Sequence, residues 1–251
     1  GMLYSAANGE FAPWATRQMM RYGVGLVLMI IVAVSNIHFW LRYAYVIYIA
    51  SFSSLIFVEL FGSIGMGAQR WIDLGFMSLQ PSEVMKTAVI LALARYFYAS
   101  RMEDVERFTY LMFPLMLVAA PMAMIIRQPD LGTALLLAVS GVAVFFLAGV
   151  RLWVFVAAGI AAIGAIVPVW HLVLLDYQKA RLLTYLRPEQ DPLGSGYHVM
   201  QSKIALGSGG IFGKGFLAGS QSHLSFLPEK HTDFIFTMLA EEFGMIGGLT
   251  L

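Results

Sequence analysis

Near one end the chain runs LPEKHTDFIFTMLAEEFG, residues 227–244, and an acid, Asp233, stands at the edge of the apolar stretch Phe234 to Leu239. A carboxylate at that position costs free energy unless it has a partner or a role. Two readings are open. Asp233 is a helix-start acid, stabilised by the N-terminal dipole by about 0.3–1 kcal/mol, or it is a functional acid. With helical spacing of about 100° per residue, Asp233, Thr237, Ala240, Gly244 and Gly248 share one face, while Glu241 lies about 80° and Glu242 about 180° away. That face is small and polar, which suits close packing or a lined cavity.

A second group of candidates lies in GAQRWIDLGFMSLQPSEVMK, residues 67–86. Pro81 suits the first turn of a helix, where its missing N–H is harmless. Glu83 then falls in the positive first turn, and Lys86, three residues on, shares its face. One reading is an interfacial helix start with a local ion pair, a snorkelling Lys86, and Arg70 and Trp71 as an anchor. The other is a polar site, because ionisable residues within spans tend to face a bundle interior or a watery cavity. RQPDLGTALL, residues 127–136, repeats the pattern of charge followed by apolar run. Asp130 is either an N-cap or a functional acid.

Several chemistries are excluded. GSGGIFGKG is not a phosphate loop, because Ser208 and Gly215 stand where Gly and Ser/Thr are needed, and Phe212 breaks the dinucleotide pattern. Its glycines are read as permitting tight turns and close backbone approach, with direct contact to a phosphate group as the alternative reading. There is no GxSxG elbow and no HExxH. The chain has no cysteine and five scattered histidines, so a protein-only metal cage is not expected. A carboxylate could share a divalent cation, Mg or Mn, with substrate phosphates.

The elements that must position these residues are membrane helices. Of 251 residues 59% are hydrophobic and 12% charged, with a mean hydropathy of +0.74. That charged share is about half the usual one for a soluble domain. A bilayer core asks for about 20 mostly apolar residues per helix, and candidate spans fall at about 19–36, 41–62, 82–99, 108–126, 131–149, 152–175 and 233–251. In hydrocarbon every backbone group must be satisfied within its span, which forces helices. The expected fold is all-α, a polytopic transmembrane bundle in one membrane domain, with a long polar, glycine-rich loop over 176–232, read as an ordered cap. The net charge of +1 gives no reason to expect nucleic acid. The chain opens at Gly1 without a basic n-region and stops at Leu251 inside an apolar run, and reads as a fragment of a longer protein. Basic residues do not fix orientation: Arg42, Arg95, Arg101, Arg107 and Arg151 oppose Arg17, Arg21, Arg70, Lys86 and Arg127.

Five stretches together resemble one family. They are MLYSA (2–6), QRWIDLGF…QPSEVMK (69–86), QPDLGTAL (128–135), RPEQDPLGSGYHVMQSKIALGSGG (187–210) and GKGFLAGSQSHLSFLPEKHTDFIFTMLAEEFG (213–244). The chain is similar throughout to the SEDS proteins, the RodA/FtsW/SpoVE family of bacterial cell-wall polymerases. PEKHTDFIF followed by LAEEFG looks most like the elongation-type RodA branch. The resemblance implies about ten membrane helices, the first closed by MLYSA, in the bacterial cytoplasmic (inner) membrane, with 67–86, 127–130 and 176–232 facing outward. It also implies polymerisation of lipid II by an inverting glycosyltransferase with undecaprenyl pyrophosphate as leaving group. By the motif match, Asp233 is the general base. Arg70, Lys86 and Lys203 contact pyrophosphate or hold the carboxylates, and Trp71 adjoins Arg70. Gln80 and Glu83 match the family's polar cavity, and Asp130 an acid that shapes it. The implied partners are a class B penicillin-binding protein and the elongation machinery. The rival readings are a flippase or transporter of a lipid-linked precursor, and a scaffold for the transpeptidase.

Overall fold

A computed structural model describes residues 2–7, 9–12, 14–61, 63–65, 68–73, 78–172, 174–186, 195–219, 232 and 234–250. Its helices are α1 (Met2–Ala6), α2 (Trp14–Val34), α3 (Ile37–Phe61), α4 (Pro81–Tyr98), α5 (Met102–Val105), α6 (Phe108–Arg127), α7 (Leu131–Leu147), α8 (Leu152–Leu172), α9 (Asp176–Leu186), α10 (Ser195–Ser208) and α11 (Ile235–Leu249). The chain is a helical membrane protein. Helices α2, α3, α6 and α8, of 21, 25, 20 and 21 residues, are each long and apolar enough to cross a bilayer, and α7 is a shorter apolar helix.

Three features differ from the sequence expectation. Between α3 and α4 lies a small antiparallel sheet, β1 (Ser63–Gly65), β2 (Ala68–Asp73) and β3 (Ser78–Leu79), in the order β1-β2-β3. The expected loop over 176–232 contains α9 and α10. The final expected span, 233–251, holds a helix that starts at Ile235 and breaks at Gly244, where φ is 67° and ψ is −164°.

The chain divides into two compact units, residues 34–164 and residues 1–33 with 165–251. In the first, α4 packs against α3, α6 and α7. Its positions Met85, Ala88, Val89, Ala92 and Leu93 are fully buried. That spacing is one helical stripe, and it meets Leu55 of α3, Leu117 of α6 and Leu137 of α7. A Cβ on Gly141 of α7 would stand 3.0 Å from Val118 of α6, so this small residue sets how closely the two helices approach.

Helix α6 carries two internal prolines, Pro114 and Pro121. Each removes the N–H that would bond the carbonyl four residues earlier. Those carbonyls belong to Tyr110 and Leu117. The Tyr96 hydroxyl donates to the Tyr110 carbonyl at 2.8 Å, and the Tyr48 hydroxyl to the Leu117 carbonyl at 3.0 Å. Phenols from α4 and α3 therefore repair both gaps.

In the second unit α11 packs against α10 and α1. The break at Gly244 frees the carbonyls of Glu241 and Glu242 and the N–H groups of Met245 and Ile246, which an unbroken helix would pair with each other. The turn after α10 takes up all four. Lys214 N–H donates to the Glu241 carbonyl (3.0 Å) and Gly215 N–H to that of Glu242 (2.9 Å). Met245 N–H donates to the Gly210 carbonyl (2.9 Å) and Ile246 N–H to that of Ile211 (3.2 Å). This exchange needs bare backbone. A Cβ on Gly209 would run into the Ala240 carbonyl, and one on Gly213, at φ +78°, into that of Glu242.

Candidate functional site

The sheet delivers the chain to α4. Its register pairs Ser63 with Trp71 and Ile64 with Gln69, so Arg70 takes the extra position of a bulge in β2. Bulges are common beside functional sites, where they re-aim the strand. The Arg70 side chain lies outside the described residues, and Trp71 is 39% exposed. After β3, Gln80 stands as the N-cap of α4 with extended φ/ψ, and Pro81 occupies the first helical position. Glu83 N–H donates to the Gln80 carbonyl at 3.1 Å.

Asp130 caps α7. Its carboxylate accepts from the Thr133 N–H at 3.2 Å and the Thr133 hydroxyl at 2.9 Å. It also accepts from Gln80 Nε2 at 3.1 Å. One carboxylate thus ties together the starts of α4 and α7, fifty residues apart in sequence. Both readings of Asp130 are served by this geometry, since a satisfied cap also fixes the mouth of anything lying between the two helices.

Glu83 and Lys86 form an i,i+3 ion pair at 2.9 Å, with Glu83 55% and Lys86 21% exposed. They flank the buried stripe of α4 and are not part of it. At the same end of this unit, Arg127 approaches Glu59 of α3 at 4.0 Å, and the buried Gln128 donates to the Leu55 carbonyl at 3.1 Å. The unit therefore gathers Gln80, Glu83, Lys86, Arg127 and Asp130 at one end. Such an end can grip an anion through its cations while its carboxylates orient those cations.

Lys203 is exposed on α10, in the other unit. Asp233, the expected base, lies outside the described residues. The helix that follows it is capped by Phe234, without a side-chain cap bond. The face assigned to Asp233, Thr237, Ala240, Gly244 and Gly248 is not one continuous helical face, because the helix is broken at Gly244. Among the described residues no group of three or more His, Asp or Glu could by itself hold a metal ion.

Sequence reasoning missed a buried polar cluster in α11. Glu241 and Glu242 are fully buried. Lys214 Nζ meets Glu241 Oε1 at 2.8 Å, and the Ser5 hydroxyl of α1 bonds Glu242. The available signal was two adjacent acids inside an apolar run, each of which needs a partner at membrane depth.

The model of the FtsW/RodA/SpoVE family, described as cell cycle protein, matches residues 3–251. The chain is 42% identical over 256 residues to the peptidoglycan glycosyltransferase MrdB of Escherichia coli, aligning all of this chain with 68% of that protein. It is 37% identical over 237 residues to the probable peptidoglycan glycosyltransferase FtsW of Coxiella burnetii, 94% of this chain and 63% of that one. Among solved structures it resembles one described as a peptidoglycan synthase complex that coordinates polymerisation and crosslinking (TM-score 0.73, 30% identity, 94% of this chain and 64% of that one). It also resembles the rod shape determining protein RodA of Thermus thermophilus (TM-score 0.62, 25% identity, 99% of this chain and 64% of that one). The chain thus spans about two thirds of these relatives' length, and it belongs to the FtsW/RodA/SpoVE family of cell cycle proteins.

Proposed function

We propose that this chain forms the larger part of a peptidoglycan glycosyltransferase that polymerises lipid II for cell elongation and rod shape. The observation that carries the reading is whole-chain identity to MrdB at 42%, above the 37% to FtsW. The polar end of the 34–164 unit supports it as a place for an anionic headgroup. In the reaction, a sugar hydroxyl of one lipid-linked unit attacks the anomeric carbon of another. The bond from that carbon to the pyrophosphate oxygen breaks with inversion, and undecaprenyl pyrophosphate departs. Asp233 takes the hydroxyl proton, a task worth about 10²–10⁴-fold for a positioned base. By the family resemblance we assign Arg70, Lys86 and Lys203 to the leaving pyrophosphate, where electrostatic stabilisation of the developing charge usually contributes more than the base does. Trp71, Gln80 and Glu83 complete the substrate contacts, and Asp130 holds the mouth of the site through its cap.

The site faces outward across the cytoplasmic membrane, and a class B penicillin-binding protein of the elongation machinery crosslinks the new strand. The test is polymer formation from labelled lipid II by purified full-length protein. Asp233→Ala should abolish it. Equal polymer from the variant would remove the base assignment, and precursor movement across vesicles without polymer would favour a flippase.

A further inference from the structure

We propose that Lys214 is a positioning residue for this site, acting through the broken helix α11. The inference rests on the reading of Asp233 as the base. Glu241 is fully buried, and a carboxylate in that surrounding requires a charged partner. Lys214 supplies it, with Nζ at 2.8 Å and a side chain 28% exposed. The same residue donates its backbone N–H to the Glu241 carbonyl at 3.0 Å. Lys214 therefore holds Glu241 from both the main chain and the side chain. The Ser5 hydroxyl holds Glu242 from the opposite element, α1. Around them the rings of Tyr4, Phe216 and Phe243 stand in sequence, with centroids 6.4 Å and 6.0 Å apart.

This clasp grips one end of a short rod. The half-helix from Ile235 to the break at Gly244 is about 13 Å long at roughly 1.5 Å per residue. Its other end begins two residues after Asp233 in the sequence. A tilt of about 5° about the clasp moves that end by about 1 Å, and a misplacement of that size can cost about 10²-fold in rate. The buried ion pair thus acts on the base from the far side of the half-helix, without touching substrate.

The experiment uses full-length protein with Lys214→Met, Lys214→Arg and Glu241→Gln, assayed for lipid II polymerisation. Residues 1–251 contain no cysteine, so with any cysteine elsewhere in the full-length protein replaced by serine, nitroxide labels at Leu206→Cys on α10 and Phe236→Cys on α11 report one distance across this unit. Lys214→Met should lower kcat about 10–100-fold, leave KM within about threefold, and broaden or shift the label distance. Lys214→Arg should restore both most of the rate and the narrow distance, and Glu241→Gln should resemble Lys214→Met. Unchanged rate and distance in Lys214→Met overturn the proposal. So does a lost rate with an unchanged distance, or a raised KM with kcat kept, since either makes Lys214 a substrate ligand. If Lys214→Met is not recovered folded, Glu241→Gln, which buries no charge, decides by the same criteria. A wild type that forms no polymer would refute the proposed function, while the label distances still decide whether the ion pair holds α11.

Discussion

Replacing Asp130 separates the two parts a carboxylate can play at the start of α7. Asp130→Ala removes the acceptor of the Thr133 N–H and hydroxyl and the partner of Gln80. Loss of an N-cap of this kind costs about 0.5–2 kcal/mol, and the Gln80 bond adds roughly 0.5–1.5 kcal/mol. The sum is about 2 kcal/mol, or roughly thirty-fold in the folding equilibrium. Asp130→Asn keeps a capping oxygen, and Gln80 can turn its amide to meet the new NH2 group. Asn caps about as well as Asp, so this variant should stay within about 1 kcal/mol of wild type. The assay pairs denaturation in detergent with polymer formation from labelled lipid II. A positioning Asp130 predicts that Ala loses stability and activity together while Asn keeps both. An Asn variant of wild-type stability that makes no polymer would refute this reasoning, because the negative charge would then be required by the substrate. An Ala variant of unchanged stability would show that the cap contributes nothing.

Gly213→Ala should destabilise the second unit by more than about 2 kcal/mol, combining the left-handed penalty of about 1–2 kcal/mol with a collision against the Glu242 carbonyl. Gly210→Ala, also at positive φ but with nothing within 4 Å of its Cβ, should cost only the backbone penalty; denaturation midpoints of the two variants check the difference. Tyr48→Phe should cost about 1–3 kcal/mol by leaving the Leu117 carbonyl without its donor, and much less when combined with Pro121→Ala, whose restored N–H serves that carbonyl; a double-mutant cycle measures the coupling.

Helices were legible because lipid imposes a length and an apolar content that the chain displays openly. The cap at Asp130 was legible for a similar reason: an acid directly before an apolar run has few local uses. The sheet was not, since strands of three, six and two residues carry too few alternations to reveal a period, and Arg70 at a bulge has no sequence signature. The break at Gly244 was also hidden. LAEEFGMIGG keeps an acceptable helical pattern, and what breaks it is a turn some thirty residues upstream that supplies replacement hydrogen bonds. GSGGIFGKG did announce close backbone approach, but not which backbone. Lys214 and Glu241, 27 positions apart, lie in segments whose pairing only the fold decides. Likewise the Gln80 bond to Asp130 follows from helix packing and not from spacing.

The phenols of α3 and α4 that serve the proline-freed carbonyls of α6 also bear on how the protein is made. Membrane helices enter the bilayer as separate spans and associate afterwards. As a lone span α6 would expose two carbonyls lacking their usual donors to hydrocarbon, at several kcal/mol each. Tyr48 and Tyr96 precede α6 in the chain and so emerge from the ribosome first. Synthesis order thus presents α6 with its missing donors already waiting, and a circular permutant that moved α6 ahead of α3 would have to insert its most defective span unaided.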